Sequence, residues 1–173
     1  MAAQKIMETT INPIIAHVKA TQAATFAAIR ADNTDNLVNT NPFVEYLSFE
    51  KAIGYQVPCL FVLGRSIDFA KSRGQNFINC VVTVQVSALV DDSKEDLLTL
   101  KTWRYHDALH MMLDRAELKA SLQSPGGQYN VMNKVKVVHS DFGELVSMKS
   151  SIGKPFRKEV LLTLEVEHYE QEG

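Results

Sequence analysis

The sequence predicts an α+β fold, a mostly antiparallel β-sheet packed against two α-helices. Three observations lead there. Two segments repeat apolar residues every three or four positions, several others alternate them, and the order is helix, three strands, helix, then two or three strands. Strands in consecutive runs with few helices favour antiparallel or mixed pairing, and one layer of two helices covers a single apolar sheet face. The length of 173 residues predicts a single domain spanning 1–173.

The first helix carries Ile11, Ile15, Val18, Gln22, Phe26 and Ile29 on one stripe. Thr10 or Asn12 is expected to cap it, Pro13 fits a first turn, and the run Asp32 to Asn36 reads as loop. Phe43 to Phe49 is the first strand candidate. Val57 to Leu63 is continuously apolar, as in a strand covered on both faces, and Pro58 marks an edge or a strand start. Gly64 to Asn76 reads as a connection bracketed by glycines. The third strand is the cleanest: Ile78, Cys80, Val82, Val84, Val86 and Ala88 alternate with a mostly polar set.

A second helix is predicted after Asp91-Asp92, with Ser93 and Asp96 as a variant capping box. Leu98, Tyr105, Leu109, Met112 and Ala116 form its apolar stripe. Ser124 to Gly127 reads as a turn. Val135 and Val137 alternate with lysines in a further strand, and Leu145 to Met148 is a short candidate within the long segment 140–155. The last strand is Phe156 to Tyr169, in which Val160, Leu162, Leu164 and Val166 form an apolar face.

Composition narrows function by exclusion. Apolar residues at 46% and charged residues at 22% exclude a disordered, collagen-like or disulfide-scaffold chain. A net charge of −2 argues against a protein that coats nucleic acid. The opening residues MAAQKIMETT lack the apolar segment of a secretory signal, and no apolar run is long enough for a membrane span. Cys59 and Cys80 lie in strand-like runs outside any C-x-x-C pair, which predicts buried free thiols, as in a reducing cytoplasm.

Catalytic patterns are sparse. His106 and His110 stand four residues apart on a helix beside Asp107, a spacing that can chelate zinc. The zincin pattern has Glu where this chain has Asp107, and no third ligand follows at a recognised spacing. Two histidines at a helix border explain the pair more simply. No phosphate-binding glycine loop and no G-x-S-x-G elbow occurs. The expectation is therefore a chain without catalysis or cofactor.

Charge distribution is more informative. Arg65, Lys71 and Arg73 lie in the glycine-bracketed segment. Lys134, Lys136, Lys149, Lys154, Arg157 and Lys158 lie in the last third, and the last strand carries Glu165 and Glu167. Such separation of sign suits head-to-tail contact between copies. Trp103 falls off the apolar stripe of the second helix, which suits a partner surface.

Four stretches resemble the tail-terminator (tail-completion) proteins of long-tailed bacteriophages. They are the N-terminal helix leading to Asn41-Pro42, the strand Val57 to Gly64, the strand Val81 to Val86 with its acidic turn and the helix through Met112, and the strand Val160 to Val166. The family has no fixed catalytic motif, and related neck and head-completion proteins share its size. The resemblance implies a structural virion protein in a ring, a hexamer, at the head-proximal end of the tail tube. Its partners would be itself, the tail tube protein and the neck or connector proteins, with no membrane. DNA would pass through the lumen without sequence reading, a role that a strongly basic lumen would hinder. Two other classes are a metal-dependent hydrolase using His106 and His110, and a cytoplasmic binding module.

Overall fold

A computed structural model describes residues 3–49, 54–70, 77–114, 118, 130–147 and 156–171. Among these, two helices, α1 (Ala3–Asn33) and α2 (Glu95–Leu113), accompany six strands. The strands are β1 (Glu45–Leu47), β2 (Cys59–Ala70), β3 (Phe77–Asp92), β4 (Asn130–Phe142), β5 (Val146–Ser147) and β6 (Phe156–Gln171). They form one mixed sheet in the order β1-β2-β3-β6-β4, with β5 also on β6. Only β1 with β2 is parallel; every other pair is antiparallel. The architecture is α+β, as the pattern of periods predicts.

The alternation in β3 and β6 sets the layers. Val82, Val84, Val86 and Ala88 lie across from Val166, Leu164, Leu162 and Val160, and all eight are fully buried. Side chains two apart on a strand share a face, so this is the face the helices cover. The same core takes Leu60 and Val62 from β2, Ile14, Val18 and Phe26 from α1, and Leu98, Leu109 and Met112 from α2. Phe26, Phe43 and Tyr105 pack edge to face, with ring centroids 5.1 to 5.9 Å apart. Edge-to-face contact adds to the stabilisation from apolar burial.

Helix α1 starts earlier than expected. It begins by Ala3, and Pro13 lies inside it rather than in its first turn. A proline inside a helix removes one backbone bond and costs about 3 kcal/mol. Burial of Ile6 and Thr10 extends the stripe one further turn towards the N-terminus, and tertiary packing decides where such a helix starts. The hydroxyls of Thr9 and Thr10 both donate to the Ile6 carbonyl, at 3.0 and 2.8 Å.

The start of α2 also differs. Its N-cap is Lys94, which makes no side-chain cap bond, so Ser93 and Asp96 form no capping box. Asp92 replaces them: its Oδ1 accepts from the Ser93 and Lys94 backbone N–H groups, at 2.7 and 3.3 Å. Its Oδ2 accepts from Lys101 Nζ at 3.1 Å. Burial alone would raise the Asp92 carboxyl; the Lys101 ammonium and the two backbone donors outweigh it and hold the group below its ordinary value.

The largest correction concerns the segment after Gly64. Through Ala70 it is not a connection but the second half of β2, paired with β3 as far as Asn79. Ser66 and Asp68 alternate with Ile67 and Phe69, the period of a strand, with Ile67 half-buried and Phe69 exposed. Between Gly64 and Ser66 the register slips by one residue, which leaves Arg65 as the extra residue of a bulge. A Cβ at Gly64 would push aside the flexible thioether of Met7 from α1, which packs over the glycine. The start of β2 follows expectation, directly after a cis Val57–Pro58 peptide. The short strand expected around Leu145 is β5. Ser124 to Gly127 lies outside the described residues.

Candidate functional site

The second face of the sheet carries most of the described charged residues singled out in the sequence, and no described helix lies on it. Its residues follow from register. Thr83 of β3 lies across from Ser66 on one side and Glu165 on the other, and Glu165 lies across from Lys136 of β4. Two residues further along the same face, Val81 stands between Asp68 and Glu167. Glu165, Lys136, Asp68 and Arg65 are exposed, while Glu167 is half-buried. Arg65 Nε donates to Gln85 Oε1 at 2.6 Å, which lays its guanidinium over β3.

The other end of this face is closed. Tyr55 packs edge-on against Phe61, centroids 5.7 Å apart, and the Arg157 guanidinium lies 5.9 Å from the Tyr55 ring centre. Beneath them Cys59, Ser87 and Asp91 are buried. Burial pushes the Cys59 thiol up to about 12, helped by Glu45 and other nearby carboxylates. Both cysteines are buried, as their strand context predicts.

Among the described residues, charge separation along the chain does not become separation in space. Antiparallel pairing sets Lys136 across from Glu165 and Arg157 across from Asp91, so basic and acidic residues interleave on one surface. Lys158 falls on the opposite, helix-covered side, 6.0 Å from the centre of the Phe142 ring. Lys71, Arg73, Lys149 and Lys154 lie outside the described residues. Trp103 projects from the outer surface of α2, half exposed, away from the buried stripe of Leu98, Tyr105 and Leu109.

His106 and His110 do share a helix side, with ring centroids 6.2 Å apart. His106 Nδ1 faces Asp107 Oδ1 at 3.2 Å. The His106 ring packs tilted against Phe142, centroids 5.1 Å apart, and its Nε2 is buried with no hydrogen-bond partner among the described residues. Among the described residues no group of three His, Cys, Asp or Glu side chains converges as a metal would require. No described helix is long and apolar enough to cross a membrane.

Two histidines escaped the sequence reading. His168 at the far end of β6 and His17 on α1 are both buried. His17 Nε2 donates to the Met112 carbonyl at 3.0 Å, tying α1 to the end of α2. His168 Nε2 lies 2.7 Å from Thr10 Oγ1. Because the Thr10 hydroxyl proton already goes to Ile6, the histidine nitrogen must be the donor. Burial pulls His168 down to about 4. His168 continues the alternation of Val160 to Val166, where the period predicts a core residue, whereas His17 lies outside the predicted stripe of α1. The chain matches no protein-family model, and no curated sequence is significantly similar to it.

Proposed function

We propose that this chain is a structural virion protein, a ring-forming tail terminator at the head-proximal end of a phage tail tube. It joins the tail tube protein to the neck or connector proteins and passes DNA through its lumen. In this role it carries out no catalysis and holds no cofactor. The observation that carries the proposal is the one-sided architecture. Two helices cover one face of a long sheet, while the other face exposes a mixed field of Arg65, Asp68, Lys136 and Glu165. Mixed charge on a pleated surface suits contact with neighbouring proteins more than capture of DNA, which needs a basic excess. The order of elements also follows the four stretches that resemble the family.

The test is assembly. Purified protein should form rings of about six copies, visible by negative stain. Tails built without this chain should have irregular lengths and remain unjoined to heads. Tails of uniform length that join heads normally in its absence would overturn the proposal.

A further inference from the structure

The sheet ends in two long edges. β1 covers β2 only at Cys59, Leu60 and Phe61, so no described residue pairs with the outer edge of β2 from Val62 to Ala70. On the other side, β4 pairs inward with β6, and no described residue pairs with its outer edge. A sheet edge with no strand beside it offers N–H and C=O groups as a template for another strand.

Three features fit these edges to each other. The first is direction. The strands β2, β3, β6 and β4 are successive antiparallel neighbours, so β2 and β4 run in opposite senses. A second copy rotated about an axis along the strands presents its β4 antiparallel to the first copy's β2, with the faces in the same sense. The second feature is shape. Gly64, Val84, Leu164 and Val137 form one row across the sheet. Both edge strands take an extra residue next to that row, Arg65 after Gly64 and Val138 after Val137. The two bulges lie within one row of each other, on opposite sides of it, and β4 has a second register shift between Val131 and Val135.

The third feature is charge. In this alignment Ser66 of one copy is level with Lys136 of the next, and Asp68 is the diagonal neighbour within reach of a long side chain. Ser66 Oγ donates to Asp68 Oδ2 at 3.2 Å, which draws the carboxylate towards that row. Both Asp68 and Lys136 are exposed.

We propose that the outer edge of β2 (62–70) pairs antiparallel with the outer edge of β4 in a second copy, Asp68 set against Lys136. This rests on the ring reading above and identifies the surface that closes the ring. Pairing β4 with β4 across a two-fold axis is also antiparallel but leaves both β2 edges open. Head-to-tail pairing satisfies both edges of every copy, and only a heterologous contact of that kind closes into a ring.

Charge exchange tests the proposal. Asp68→Lys and Lys136→Glu, each alone, should weaken association at least tenfold, seen as loss of the assembled mass in native mass spectrometry. The double variant should recover assembly. Hydrogen exchange of the unmodified protein should show backbone amides in 62–70 and 130–142 gaining protection together as concentration rises. If both single variants assemble like the parent, a ring exists but closes elsewhere, and the inference fails while the function survives. Protection of 130–142 alone in a dimer would mean two-fold pairing and would also overturn it. A parent chain that stays monomeric overturns both.

Discussion

Lowering the pH should unload one buried contact that ties α1 to the sheet. His168 lies in β6 across from Cys80 of β3 and Val131 of β4, and its Nε2 donates to Thr10 of α1. In the folded chain burial brings its pKa from 6.5 to about 4. The folded value is the lower one, so the unfolded chain takes up the proton first as pH falls. The neutral histidine's contribution is thus fully present above pH 6.5 and is lost between pH 6.5 and about 4. Each tenfold change in proton affinity is worth about 1.4 kcal/mol, so the loss amounts to about 3 kcal/mol. Glutamine at the same position keeps a donor for Thr10 and cannot charge. Urea unfolding at pH 7.5 and pH 4, at one protein concentration, should show the parent losing about 3 kcal/mol more than His168→Gln. Equal losses would mean that water or an acidic neighbour supports the charged ring, and the linkage to burial would fall.

Further outcomes follow from the core and its charges. Phe26→Ala removes the ring shared by Phe43 and Tyr105 and should cost about 3–5 kcal/mol in chemical denaturation. Asp92→Asn should cost about 1–2 kcal/mol at pH 7. Because the Asp92 carboxyl is held below its ordinary value, that cost should fade as pH drops through the acidic range, in paired melts of parent and variant. Cys59 should resist a thiol reagent at pH 8 until urea unfolds the chain, since its thiol is pushed up to about 12 and buried. Trp103→Ala should leave the melting temperature within about 2 °C of the parent, as expected for a half-exposed side chain away from the core.

The fold was legible where one period persisted. The α2 stripe residues Leu98, Tyr105, Leu109 and Met112 and the alternating sets Cys80 to Ala88 of β3 and Val160 to Val166 of β6 are all buried, because every second or every third-to-fourth side chain must face the same core; Ala116 lies outside the described residues. Legibility failed where punctuation residues carried tertiary meaning. Gly64 reads as the end of a strand, yet it serves a bulge under Met7. Pro13 reads as a helix start, yet burial at Ile6 carries α1 past it. Ser93 reads as a cap, yet Asp92 bonds the same stretch of backbone from the preceding strand end.

The candidate site was legible only as residue types. Arg65, Glu165 and Glu167 do share a face, whereas Lys158 and Trp103 belong to other surfaces. Which residues meet depends on strand order, and β6 inserting between β3 and β4 leaves no local signature. Lys136 belongs to the basic cluster of the sequence, but Asp68, and the meeting of the two on which the proposed contact turns, depends on knowing the two edge strands.

Ring formation underlies both the proposed role and the proposed edge contact, and the mass of the purified protein in solution tests it most directly. Light scattering at micromolar concentration should return about six copies of a 19.4 kDa chain, with a central channel in negative-stain images of the same sample. A stable species of one chain mass across that concentration range, with no ring in the images, would contradict it.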